Sequence, residues 1–486
     1  MYRLVLYTLI GYLLWALVLA TVGKLPFLAL DFVFSTVFLL AVCYVANKVF
    51  AKILSIPVNI ESDYITALIL ALIITPVAFS SASFFSGLSF LFWAGLFSQA
   101  SKYILGWHGK HIFNPAAIAV VITAFTINQS ASWWVGTLWM LPAVIIGGVL
   151  VLRKIQRFQM VLLFLAIGIL TIMFFSSSRS EPILLLKKIL IDSPILFFAS
   201  IMFTEPLTAP STEKMRFVYA GLAGFLFAPN VHLATIYSTP ELALVVSNLF
   251  SYLVNPKSRL LLKFKSKKLI STDTYDFEFE PNYTPAFTPG QYMEWTLSHG
   301  HPDDRGNRRY FTIASAPEEK NIHLGIKFYP QSSSYKSALF RFRGGDKILA
   351  GSLSGDFVLP KDPQRKLAFI AGGIGITPFV SIAKHLLNKK EQRDIVLLYS
   401  CKNANDVSYK DIFDQALSVG LKTNYFLTEQ DGMLNQDKIT KAVPDYASRT
   451  FYLSGPHGMV KAFEKTLKKM GVPRRQIKID FFPGYV

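Results

Sequence analysis

Cysteine is nearly absent: Cys43 and Cys401 are the whole complement of this 486-residue chain. Two thiols cannot build the four-thiolate shell of an ordinary iron–sulfur cluster, nor a disulfide framework. Histidine is scarce too. Before residue 255 only His108, His111 and His232 occur, fewer than the four axial ligands that two b-type haems on helices demand. Charged residues make up only 16%, against 52% hydrophobic, which is unusual for a soluble protein. Acidic residues are outnumbered 31 to 49, leaving a net charge of +18. Those cations are scattered over loops between apolar runs, the positive-inside pattern of membrane proteins, and nucleic acid is not expected as a partner.

What is abundant is apolar sequence, concentrated before about Asn255. A membrane span needs about 20 mostly apolar residues. Candidate spans are roughly 4–22, 27–47, 64–81, 84–100, 112–128, 133–152, 159–175, 190–204, 217–231 and 236–254. The first 22 residues resemble a signal peptide in part, but their apolar run is long for one and reads as an uncleaved first helix. About ten spans place both termini on one side. Lys48 and Lys52, Lys102 and Lys110, and Arg153, Lys154 and Arg157 fall in alternate loops, while the loops near Ser81 and Gln129 carry no charge. The expectation is a multi-pass protein of the cell membrane with its C-terminal half in the cytoplasm. Lys257, Arg259, Lys263, Lys265, Lys267 and Lys268 follow the last span. They read either as contacts to anionic lipid headgroups or as the charged face of a first strand.

Two segments interrupt the apolar pattern. One runs from Ser101 through His108 and His111 to Asn114-Pro115-Ala116-Ala117. The other is Thr204-Glu205-Pro206-Leu207-Thr208-Ala209-Pro210-Ser211-Thr212-Glu213-Lys214. Composition alone leaves them as two loops or as broken helices around a central site, the mark of an inverted repeat. Residues 110–117 and 204–212 resemble the two marker segments of a membrane family. That family comprises the homologous FMN-carrying membrane proteins of the sodium-translocating NADH:quinone reductase and of the Rnf electron-transport complex. The resemblance implies FMN joined to Thr212 by a phosphoester, put there by a flavin transferase. It also implies electron delivery to a quinone or an extracytoplasmic redox protein. Glu205 stands where the family has aspartate, Ser211 replaces a threonine, and Pro210 is a further departure.

From about Lys257 short alternating strands with turn residues take over. Arg309-Tyr310-Phe311-Thr312-Ile313-Ala314-Ser315 reads as a strand that puts Arg309 and Phe311 on one face and Tyr310 and Thr312 on the other. An arginine fork suits a pyrophosphate, an aromatic covers a planar ring, and a hydroxyl reaches a ring nitrogen. Alone, the stretch could equally be an ordinary strand edge. Leu367–Ile370, then Gly372-Gly373-Ile374-Gly375-Ile376-Thr377-Pro378, then an apolar-periodic stretch, is the strand, glycine turn and helix of a dinucleotide site.

Together with Pro289-Gly290-Gln291-Tyr292 and Ser454-Gly455-Pro456, these stretches resemble the ferredoxin–NADP reductase family. The resemblance implies an FAD-binding antiparallel β-barrel and an α/β NAD(P)-binding domain. It places Arg309, Tyr310, Phe311, Thr312 and Ser315 at the flavin, with Thr312 near its N5, and Lys327 toward the adenine. Ser333 and Ser334, ahead of a helix expected at 336–341, would meet a phosphate. Gly372, Gly373, Gly375, Thr377, Pro378, Gly455 and Pro456 would hold NADH or NADPH. Ser454 stands beside the nicotinamide where cysteine is frequent, and Phe482 would lie against the flavin. Thr312 and Ser454 are the expected catalytic positions, and no metal is expected. The expected domains are a polytopic α-helical membrane domain over 1–255, the barrel over 256–362 and the α/β domain over 363–486. Two alternatives are a redox-coupled sodium or proton transport subunit and a haem-bearing ferric reductase, the latter disfavoured by the histidines.

Overall fold

The computed structural model describes residues 2–54, 60–107, 110–176, 181–255, 260–300, 303 and 306–480. It forms two compact units, Met1–Lys257 and Ser258–Val486. The first unit is helical: α1 (Tyr2–Thr21), α2 (Ala29–Leu54), α3 (Ile60–Ile73), α4 (Phe84–Ile104), α5 (Pro115–Thr126), α6 (Leu141–Ile155), α7 (Phe158–Phe175), α8 (Pro182–Ile191), α9 (Ile195–Phe197), α10 (Glu213–Phe227) and α11 (Pro240–Val254). Two-residue hairpins interrupt it, β1 (Gly106–Trp107) with β2 (Lys110–His111) and β3 (His232–Leu233) with β4 (Ile236–Tyr237). Among the described residues, α1, α2 and α7 are long and apolar enough to cross a membrane; α5 and α11 are shorter apolar helices.

Several expected spans are shortened, each for a local reason. The span expected over 64–81 stops at Ile73 because a non-helical segment takes up the end of α3. Trp133 N donates to Ile73 O at 2.8 Å, Val135 N to Leu72 O at 3.3 Å, and the Trp134 indole to Ala71 O at 3.0 Å. Those bonds satisfy carbonyls that a helix end leaves open. The same segment delays the span expected from 133 until Leu141. The span expected over 190–204 is broken at Ser193-Pro194, since proline cannot continue a helix. It resumes as α9 and a π-helical turn over Phe198–Met202. Breaks of this kind are tolerated because the carbonyls find partners inside the protein.

The second unit joins two layered parts. Six antiparallel strands, in the order β8-β7-β10-β5-β6-β9, enclose one apolar core. They are β5 (Leu260–Ser271), β6 (Thr274–Pro281), β7 (Tyr292–Thr296), β8 (Arg308–Thr312), β9 (Ile322–Lys327) and β10 (Lys347–Ser354). Helix α12 (Ser334–Phe340) buries Tyr335 and Leu339 in that core. The helix thus begins two residues earlier than expected, because the Ser333 hydroxyl caps it by accepting from Lys336 N. Five parallel strands follow in the order β13-β12-β11-β14-β15. They are β11 (Leu367–Gly372), β12 (Ile395–Cys401), β13 (Leu421–Leu427), β14 (Thr450–Ser454) and β15 (Ile477–Ile479). Helices α13 (Thr377–Lys389), α14 (Lys410–Ala416), α15 (Thr428–Asp431), α16 (Gln436–Ala442) and α17 (His457–Lys469) accompany the sheet. β11 and β12 are apolar on both faces, and each face packs on a separate core, as parallel sheets covered on both sides require.

Candidate functional site

The strand order reverses at β11, which has β12 on one side and β14 on the other. Such a switch point opens a crevice at the carboxyl ends of the strands. Two turns meet there. Gly372 ends β11, and Gly373–Ile376 form a 3-10 turn before Thr377 and Pro378 open α13. Gly455 and Pro456 follow β14. The turns touch: a Cβ on Gly375 would fall 2.5 Å from the Gly455 nitrogen. Gly373 has a φ of +52° and nothing within 4 Å of where its Cβ would be, so the turn has an open side. Thr377 Oγ1 donates to Ile374 O at 3.2 Å and braces the turn. Ser454 is fully buried and donates to Asp480 Oδ2 at 3.0 Å. Burial pushes the Asp480 carboxyl up to about 7, with the Ser454 hydrogen bond pulling the other way.

On the barrel, β7 pairs Trp295 with Arg309 and Met293 with Phe311, so Arg309 and Phe311 share a face and Tyr310 and Thr312 the other. The Arg309 guanidinium lies 5.0 Å from the Tyr335 ring centre, and Phe311 is 6.0 Å from the same ring. Arg309 Nη2 donates to Asp303 Oδ1 at 3.1 Å, while Asp303 Oδ2 accepts from Ser334 N at 3.0 Å. A carboxylate therefore bridges the two donors that a phosphate would take, and the donor set fits an anionic cofactor group. The Tyr310 hydroxyl donates to Glu294 at 2.9 Å. Ser315 is fully buried; its hydroxyl accepts from His323 N and its carbonyl from Ser381, which ties the barrel to α13. Lys327 pairs with Asp273 at 3.2 Å.

In the helical unit the two interrupted segments come together. Asn114 caps α5 by accepting from Ala117 N at 3.1 Å, with Pro115 next. Its amide donates to Glu205 Oε2 at 3.0 Å, and His111 Nε2 lies 3.4 Å from Glu205 Oε1. Helix α11 stitches both breaks. Asn248 accepts from Asn114 N at 2.8 Å, Asn255 accepts from Ser211 N at 2.8 Å, and Glu241 accepts from the Trp133 indole at 2.9 Å. Thr212 stands at the N-cap of α10 in extended conformation, half-exposed, and its hydroxyl makes no capping bond. A hydroxyl left over in this way, with Arg216 one turn on and donating to Ser211 O at 2.8 Å, fits a phosphoester attachment point.

Asp303, Asn248 and Asn255 were not singled out by the sequence. For the last two a signal existed: Glu241, Asn248 and Asn255 recur every seventh residue in a mostly apolar stretch, which puts Glu241 and Asn248 on one face of α11 with Asn255 at its C-terminal cap. Phe482, His108, Lys257 and Arg259 lie outside the described residues. Among the described residues no group of three metal-ligating side chains is found.

Residues 369–465 match the family model described as an oxidoreductase NAD-binding domain. Flavohemoprotein A of Dictyostelium discoideum is 26% identical over 229 residues, 44% of this chain and 57% of that protein. The flavohemoprotein of Bacillus subtilis (strain 168) is 24% identical over 212 residues, 41% of this chain and 52% of its own length. The chain spans about half the length of these curated relatives. Among solved structures, the Amycolatopsis cytochrome P450 reductase GcoB is 25% identical. That likeness covers 46% of this chain and 70% of that one, at a TM-score of 0.42. The C-terminal unit thus carries an oxidoreductase NAD-binding domain over residues 369–465 and is similar in sequence to part of the flavohemoproteins.

Proposed function

We propose that this is a membrane flavoprotein that takes hydride from cytoplasmic NADH or NADPH onto FAD. Electrons then pass to FMN held covalently at Thr212, and on to a quinone or an extracytoplasmic redox protein. The observation that carries the reading is the meeting of the two glycine turns at the switch point, with the open side of Gly373 beside them. In this reading Gly373, Gly375, Thr377, Gly455 and Pro456 grip the nucleotide. Arg309 and the Ser333–Ser334 turn take the flavin phosphates, and Thr312 and Ser454 stand nearest the reacting atoms. FAD suits the junction because a flavin accepts two electrons as hydride and releases them singly. The helical unit is read as a multi-pass domain of about ten spans over 1–255, followed by the barrel over 256–362 and the nucleotide domain over 363–486. The attached FMN would be the work of a flavin transferase acting on the Thr204–Thr212 segment.

A second reading, redox-coupled movement of sodium ions or protons, is supported by carboxylates buried in the helical unit. Asp63 is paired with Lys102 at 3.2 Å, and Glu241 is bonded to Trp133. Ionisable groups among apolar helices are costly and mark function by default. The test of the main reading is the visible spectrum of the purified full chain, before and after NADH or NADPH. Flavin bands that bleach with nucleotide, and no Soret peak, are the expected result. A Soret band, or flavin that neither nucleotide reduces, would overturn it.

A further inference from the structure

Met459 is the third residue of α17. One flank of its side chain packs on the apolar core beneath the sheet. The other lies on two glycines. A Cβ on Gly372 would fall 2.3 Å from its Sδ and 2.6 Å from its Cε, and a Cβ on Gly455 would fall 2.4 Å from its Cε. Gly372 ends β11 and Gly455 follows β14, so the thioether sits where the two turns of the switch point come together. The thioether takes up the space that Gly372 leaves bare, while Gly455, at φ +154°, needs glycine for its own backbone. Gly373, by contrast, faces open space. Methionine is suited to such a place, since an unbranched, polarizable thioether fills an irregular gap between two backbones.

We propose that Met459 is a positioning residue of the nucleotide cleft. Its thioether lies against Gly372 and Gly455 beside the direct contact of Gly375 with Gly455, braces the relative placement of the Gly372–Gly375 and Gly455–Pro456 turns, and through that placement sets the hold on the nicotinamide nucleotide. The inference rests on the NAD(P)H reading above. Backbone N–H groups of glycine turns bind phosphate by their spacing and direction, so a shorter or branched side chain at 459 changes the grip without removing any donor. The flavin-side residues Arg309, Asp303 and Ser334 are held by their own hydrogen bonds, so flavin retention is independent of Met459.

The test uses the full chain in detergent, with wild type, Met459→Ala and Met459→Leu compared. Four quantities are measured: flavin content, the temperature of flavin release, KM and kcat with ferricyanide as acceptor, and the Kd of NAD+ and NADP+ from flavin difference spectra. Met459→Ala is expected to raise KM and Kd together by about 10-fold, the scale of one weakened charge-assisted hydrogen bond to phosphate. Flavin content and kcat should stay near wild type. Met459→Leu, close in volume, should fall between the two and carries the test if the alanine variant does not fold. KM and Kd unchanged in both variants would overturn the proposal, as would a loss confined to the flavin-release temperature and kcat. A wild type that binds neither nucleotide overturns the NAD(P)H reading itself. Wild-type binding with unaffected variants overturns only the role of Met459.

Discussion

At the scale of single residues, the candidate sites of the two units, each taken by itself, hold side chains whose chemistry is local and side chains whose meaning depends on a distant neighbour. Thr212 is of the first kind, since its hydroxyl is spare in the cap of α10. Coexpressed with a flavin transferase active on a control, the chain should fluoresce under ultraviolet light on a denaturing gel. Thr212→Val should be dark and Ser211→Ala bright; fluorescence that survives in Thr212→Val assigns the attachment elsewhere. Asp480 is of the second kind, because its carboxyl is raised to about 7 by burial that no stretch of sequence announces. A carboxyl raised in the fold holds its proton where the unfolded chain has lost it. Its stabilising contribution is full below about pH 4, the unfolded value, and is lost as pH rises through 7. The flavin-release temperature should fall over that window in wild type more than in Asp480→Asn, and parallel curves would remove Asp480 as the source. Arg309 spans both kinds. Its fork was legible as an anion ligand, yet its pairing with Asp303 and through it with Ser334 required the loop and the helix to meet.

Among the secondary elements, α11 ties separate segments of the helical unit together through polar residues spaced seven apart. Its outward residues are exposed and apolar, such as Leu249 and Leu253, while Glu241, Asn248 and Asn255 bond to three different segments. Asn248→Ala would strip a partner from the buried Asn114 N–H and from the Tyr219 hydroxyl, to which Asn248 donates at 3.0 Å. Each buried group left unsatisfied costs about 1–3 kcal/mol. The thermal unfolding midpoint in detergent should therefore drop clearly for Asn248→Ala and little for Leu249→Ala. Equal effects would mean that the polar stitching contributes nothing beyond bulk. Helix lengths in this unit were the least legible feature. An apolar run such as 133–152 satisfies the rule for a span, but the chain spends its first residues capping α3, and a carbonyl's partner cannot be read from its own sequence.

For the molecule as a whole, the two units have separate apolar cores. One contiguous cluster fills the helical unit, and the barrel and the sheet carry their own. A fragment spanning 258–486 should therefore fold, bind FAD and oxidise NADH or NADPH with ferricyanide, without delivering electrons to membranes. A folded, flavin-loaded fragment that reacts with neither nucleotide would count against the hydride assignment. The sequence by itself determined where apolar helices give way to alternating strands, and where the glycine, arginine and capping motifs fall. Those features are local: periodicity, turn geometry and hydroxyl caps act within a few residues. Only the tertiary structure decided that Asn114 meets Glu205, that Asp303 bridges Arg309 and Ser334, and that Met459 lies on Gly372 and Gly455. Each of those contacts joins elements whose order in space is set by strand pairing and core packing, and burial, not spacing along the chain, fixes what such residues can do.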